Sequence, residues 1–109
     1  MPSESRTFIE IKILISEGKI LISSHGYDEL ADDGITVGEV LRTIDDAVVI
    51  EDYPDFGKGP AVLLLQEDRN HKPIHTVWGI PNGQKEPAVL ITAYRPDPDK
   101  WSDDFKRRV

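Results

Sequence analysis

AVLLLQEDRNHKPIHTVWGIPNGQKEPAVLITAYR, from Ala61 to Arg95, holds three apolar runs divided by short polar connections, and these set the class of the fold. Ala61 to Gln66 is apolar at consecutive positions, the pattern of a central strand covered on both faces. Ile74 to Ile80 and Ala88 to Tyr94 are further strands, joined through a polar DRNHK turn and a turn containing Asn82-Gly83. Such short connections join antiparallel neighbours, so the three strands form a meander. Ala47 to Tyr53 is a fourth strand, ended by Pro54 and the loop PDFGKGP with its two Gly and two Pro.

Upstream the period changes. Ile20 to Ile22 is a short strand leading into a helix that starts near Ser24 and stops at Gly34. Thr36 and Glu39 form a capping box, with Ile35 and Val40 as the hydrophobic staple around it. That helix is expected to run through Ile44, with Val37, Val40, Leu41 and Ile44 facing the core. The first segment fits two patterns. Ile9, Ile11, Ile13 and Ile15 alternate as in a strand, while Phe8, Ile11 and Ile15 fit a helical face and Gly18 looks like a helix end. Helices covering one face of a meander make the class α+β.

The 109 residues are expected to form a single domain, 1–109, with its core at about 8–101 and short flexible tails at both ends. With no Cys, disulfides, thiolate metal sites and a cysteine nucleophile are excluded. The longest apolar run, Ala61 to Leu65, is far too short to span a bilayer, and MPSESRTFIE lacks the pattern of a signal peptide, so a cytoplasmic protein is expected. Twenty acidic and thirteen basic residues give a net charge of −7, which repels a polyanion at long range and restricts any RNA contact to a local one. Lys106, Arg107 and Arg108 form the one basic cluster, read as a solvated, frayed tail.

Candidate chemistry centres on His25, placed where a strand passes into a helix. With Ser24 as N-cap, His25 is the first helical residue, and the unpaired amides there favour the neutral ring. Glu29, on the same helical face, favours the protonated one. In the last strand Leu90, Thr92 and Tyr94 share one face, and Val89, Ile91, Ala93 and Arg95 the other. Tyr94 and Arg95 suit a phosphate, the guanidinium forking two oxygens and the phenol donating or stacking. Equally, Tyr94 can pack on Trp78 while Arg95 pairs with Asp97 or Asp99. His75 fits either a half-buried strand position or a base, and His71 is assigned no role. The run EDYPD with Tyr53 and Phe56 is either a partner-binding edge or a turn with ordinary aromatic anchors. The three His lack metal-ligand spacing, and FGKGP is no phosphate loop because it opens a strand, so neither metal nor cofactor is expected.

The ordered blocks SHGYDELADDGIT, VVIEDYP, GPAVLLLQ, PIHTVWGIP and VLITAYRPDPDKW resemble the domain-of-unknown-function 4258 family from about Phe8 to Trp101. That family in turn is similar to small bacterial RNA-cleaving toxins of the RelE and MqsR type. The resemblance implies N-terminal helices packed on one face of a curved, mainly antiparallel sheet, a RelE/barnase-like arrangement, and favours helix for the first element. It also implies action without metal or cofactor and a small zinc-finger antitoxin-like protein as partner. Carried over by position, the family's helix-start His falls on His25, its second-hairpin His on His75, and its terminal segment on Thr92, Ala93 and Tyr94 with Arg95 next. Where many members carry basic residues after that His, this chain has Glu29 and Asp33, removing charge that phosphodiester cleavage needs.

The expected function is a metal-independent ribonuclease of a toxin-antitoxin pair. His25 would serve as general base or acid, Glu29 would orient it and Arg95 would hold the phosphate, with Thr92, Tyr94, Trp78 and His75 positioning the nucleotide. The rival is a non-catalytic module that grips a protein or small ligand on the same fold.

Overall fold

The structure, a computed structural model, describes residues 5–109. The first residues of the expected N-terminal tail, 1–4, lie outside it. Three helices pack against a five-stranded mixed sheet that does not close into a barrel, an α+β fold. In chain order these are α1 (Arg6–Ser16), β1 (Ile20–Ile22), α2 (Ser24–Asp32), α3 (Val37–Arg42), β2 (Val48–Tyr53), β3 (Ala61–Glu67), β4 (Pro73–Gly79) and β5 (Ala88–Tyr94). The strands lie in the order β1-β5-β4-β3-β2. Neighbours from β2 to β5 are antiparallel, whereas β1 joins β5 in parallel, a pairing across 68 residues that no local pattern announces. Among the described residues no helix is long and apolar enough to cross a membrane.

The first element is a helix because its ends are closed locally. The Ser5 hydroxyl accepts from Phe8 N–H at 3.1 Å, and Gly18, at φ +74°, ends it with Lys19 N–H donating to Leu14 C=O at 2.9 Å. Phe8, Ile11 and Leu14 turn inward, while Ile9 and Ile13 of the strand-like alternation are exposed. Thr36 and Glu39 close the expected capping box, and Ile35 and Val40 are both buried around it. That helix stops two residues early, at Arg42, and a 3₁₀ turn at Ile44–Asp46 follows.

One inserted residue governs β5. Val77 pairs with Thr92 but Trp78 pairs with Leu90, so Ile91 is extra and forms a bulge. Leu90 and Ala93 therefore both face the helices, where Val62, Leu64, Ile74 and Trp78 complete the core. Thr92 and Tyr94 turn to the opposite, open face beside Val77 and His75. The expected alternation, with Leu90 on the side of Thr92 and Tyr94, is corrected by this bulge.

The N-terminus of α2 is seated on the same bulge. Ser23, not Ser24, is the N-cap: its hydroxyl donates to Ile91 C=O at 2.9 Å and accepts from Gly26 N–H at 2.9 Å. A Cβ at Gly26 would stand 2.8 Å from the Leu90 carbonyl oxygen, so only glycine permits this approach. Gly26→Ala is expected to destabilise the protein by about 1–2 kcal/mol, the clash outweighing the gain in helix propensity. At Gly38 in α3 the nearest atom is 3.9 Å away, so Gly38→Ala should stabilise by up to about 1 kcal/mol. Urea unfolding midpoints of the two variants, moving in opposite directions, check the pair.

Candidate functional site

The residues expected to form one site are divided among four places. His25 and Glu29 do meet, with Nε2 and Oε1 3.4 Å apart on the outer surface of α2, where the His25 side chain is 65% exposed. Since helix α2 starts at Ser24, His25 is its second residue rather than its first. Among the described residues, no ion pair brings a cation to this pair.

Arg95 lies elsewhere. Its backbone N–H donates to the Asp33 carboxylate at 3.0 Å, its Nε–H to Asp33 C=O at 3.3 Å, and its Nη2 pairs with Asp68 at 3.0 Å. Asp33 caps the far end of α2, about 12 Å of helix axis from His25 at ~1.5 Å per residue. The remaining Nη1 is buried without a partner, so the guanidinium is turned into the protein, not toward a ligand. Asp68 is held well below the usual carboxylate range, first by the Lys72 N–H, with Asn70 N–H and Arg95 adding to it. Arg95 thus staples α2 to the β3–β4 turn, and its pairing with Asp97 or Asp99 is replaced by this inward one.

Trp78 cannot touch a nucleotide, because its side chain is fully buried among the helices. Tyr94 does not pack on it; the two point to opposite faces. Tyr94 and Arg95 likewise diverge: Tyr94 meets His75 on the open face, while Arg95, just past β5, reaches Asp33 and Asp68. Thr92 is half-buried on the open face opposite Val77.

His75 is the centre of the best-organised cluster. Its Nε2 lies 2.8 Å from Phe105 C=O and its Nδ1 3.2 Å from the Tyr94 hydroxyl. A carbonyl only accepts, so Nε2 carries the proton and the Tyr94 O–H donates to Nδ1. The Trp101 ring meets the imidazole edge-on, centroids 4.4 Å apart. Close by, Arg108 forks Glu51 at 3.0 and 3.1 Å, and Tyr53 donates its hydroxyl to the same carboxylate. Burial pushes His75 down, opposed by its bond to Phe105, while Arg108 lowers it and Glu51 raises it. Burial pushes Tyr94 up; the Arg108 bond holds Glu51 low, and the bond to Glu51 raises Tyr53. Glu51, Trp101, Phe105 and Arg108 carry no local sequence signal for this cluster. The C-terminal segment is docked, not frayed, with Trp101 only 6% exposed.

The open face also bears an apolar hollow of about 340 Å³ between β4, β5 and the loop before β3. Phe56, Lys58, Ile80, Pro81, Val89 and Ile91 line it, with Gly79 as floor. Ile91 Cδ1 would stand 3.0 Å from a Cβ at Gly79, so the glycine leaves room for the bulged side chain. Lys58 is the one charged residue of the lining among the described residues, and Phe56, half exposed, forms its rim. Among the described residues, no cluster of metal-ligating side chains occurs.

Two measurements check this division. Arg95→Met removes the guanidinium from Asp68, whose side chain is 3% exposed, and is expected to cost about 1–3 kcal/mol, discounted for the one-third exposure of Arg95. For His75, a lowered pKa means that the unfolded chain binds more protons below its ordinary value of 6.5. Its contribution to stability is therefore present above that pH and lost as pH falls toward the folded-state value. The urea midpoint should drop between about pH 7.5 and about pH 5.5, and His75→Gln should remove that part of the drop.

Comparison with known proteins places these groups in a family. A family model described as a domain of unknown function, DUF4258, matches residues 22–95, from the end of β1 to Arg95. No curated protein and no solved structure gives a match. With two thirds of its length matched, including His25, Glu29, His75, Tyr94 and Arg95, the chain belongs to the DUF4258 family.

Proposed function

We propose that the chain is a binding module that grips a protein partner in the apolar hollow of its open sheet face. The observation that carries this is the fate of Arg95. The cation expected to hold a phosphate is turned inward onto Asp33 and Asp68, while the hollow lies open at the surface. An apolar hollow of this size suits one or two large side chains, and burial there stabilises by about 25 cal/mol per Å² of apolar surface. Lys58 supplies a positive rim for an acidic group beside them. The resemblance to RelE- and MqsR-type toxins suggests the partner, a small zinc-finger antitoxin-like protein.

Ribonuclease activity of the toxin type is the second reading, favoured by the exposed contact of His25 with Glu29. In it His25 takes the proton of a 2′-hydroxyl, the oxygen attacks its own phosphodiester, and a cyclic phosphate forms as the P–O bond to the 5′-oxygen breaks and that oxygen takes a proton from water. The developing negative charge then needs a cation, and a carboxylate, Glu29, stands there instead.

Binding and cleavage separate cleanly. Purified full-length chain is expected to leave RNA intact with and without ribosomes, and its expression to leave bacterial growth unchanged. Cleavage abolished by His25→Ala would overturn the binding proposal in favour of the nuclease. Calorimetric titration with a small zinc-finger protein, should one be encoded beside this chain, is expected to show binding that Ile91→Glu weakens at least about tenfold, a carboxylate having replaced an apolar wall.

A further inference from the structure

Residues 97–109 are folded on themselves. Among the described residues, the backbone hydrogen bonds of this segment close within it: Lys100 N–H to Asp97, Ser102 N–H to Arg107, Phe105 N–H to Ser102 and Val109 N–H to Lys100. Trp101 and Arg108 form an isolated bridge, with the guanidinium 4.7 Å from the centre of the indole ring. Among the described residues, no backbone ladder ties this unit to the sheet. It is held there by the Trp101 edge on His75, the Phe105 carbonyl on His75 Nε2–H, and the Arg108 fork on Glu51. It also falls outside the matched family region, which ends at residue 95.

The receiving groups share one side of the sheet. Glu51 pairs with Leu63 and His75 with Leu65 and Tyr94, so the carboxylate, the imidazole and the phenol all stand on the open face. Each has a specific demand. A carboxylate met by two parallel N–H donors prefers guanidinium to ammonium. The imidazole presents a fixed N–H, which takes a main-chain carbonyl, and its edge takes an aromatic ring. The chain's net charge of −7 attracts a cationic segment over distance.

We propose that Glu51, Tyr53, His75 and Tyr94 form a docking surface for a folded-back, arginine-bearing segment of a protein partner, which the chain's own C-terminal unit occupies in cis. Contacts to side chains of the sheet and the burial of Trp101 hold the occupant, so a segment with the same arginine, carbonyl and aromatic pattern can replace it. The tether gives the cis occupant a millimolar effective concentration, which a partner must exceed by affinity. This surface is separate from the Phe56–Ile91 hollow and stands whether or not that hollow binds anything.

A labelled peptide of residues 97–109 is the probe, titrated against full-length protein by fluorescence anisotropy. Arg108→Ala loosens the cis occupant, so the peptide should bind this variant about two- to fivefold more tightly than wild type. Adding Glu51→Ala to Arg108→Ala should abolish the gain. An Arg108→Lys form of the peptide should bind at least about twofold more weakly than the parent peptide. In wild-type protein, excess peptide should speed amide exchange of the chain's own residues 100–109 without altering that of β3 and β4. Equal uptake by wild type and Arg108→Ala, or binding indifferent to Glu51, would overturn the proposal. So would exchange in the C-terminal unit that no peptide concentration changes.

Discussion

The extra residue at Ile91 is the constraint on which the rest of the molecule depends. A strand whose side chains alternate strictly cannot turn both Leu90 and Ala93 toward the helices, and the bulge makes this possible. Its effects spread in both directions. Toward the helices it completes the wall of Trp78 and Ile74. Toward the open face it lays Ile91 over Gly79 and brings Tyr94 beside His75. At the strand edge it offers the Ile91 carbonyl to the Ser23 hydroxyl, seating α2 so closely that only Gly26 fits. Arg95, just past the strand, is then delivered to the C-terminal end of α2.

Electrostatics separate the two sides of the protein. An acidic chain has carboxylates to spare, and several of its cations are used within the fold: Arg95 on Asp33 and Asp68, Arg69 on Glu39, Arg108 on Glu51. The Arg95 attachment matters most to the fold, because Asp68 is buried and its charge relies on Arg95 as well as on backbone N–H groups. Arg108 and Glu51 are more exposed, so their pair specifies a geometry more than it stabilises. A guanidinium already engaged by the Asp68 carboxylate and the Asp33 carbonyl is poorly placed to meet a phosphate. The same charge balance makes the open face a better receiver of cations than of polyanions.

The strands, the α+β class and the capping box at Thr36 were readable from period and end signals, which act over a few residues. His25 and Glu29 met as expected because a four-residue spacing in a helix is itself a contact. Trp78, Tyr94 and Arg95 were a different case. Each was correctly placed in its strand or at its end, but their mutual direction depended on one inserted residue and on a partner strand's register. A period of two carries no warning that it will be broken. The C-terminal unit was misread for a related reason: its charges suggest a solvated tail, and what holds Arg108 is Glu51, 57 residues earlier.

By itself, the amino-acid sequence determined which segments after the first are helix and strand, where several of them stop, and that the chain is acidic and free of thiol chemistry. Those properties follow from local backbone preference, capping and composition, none of which needs a distant partner. Only the tertiary structure decided that β1 lies parallel to β5, that Arg95 turns inward, and that His75 is closed beneath Trp101 and Phe105. These depend on which groups far apart in the chain neutralise, cover or exclude one another, and that competition is settled only when the whole core packs.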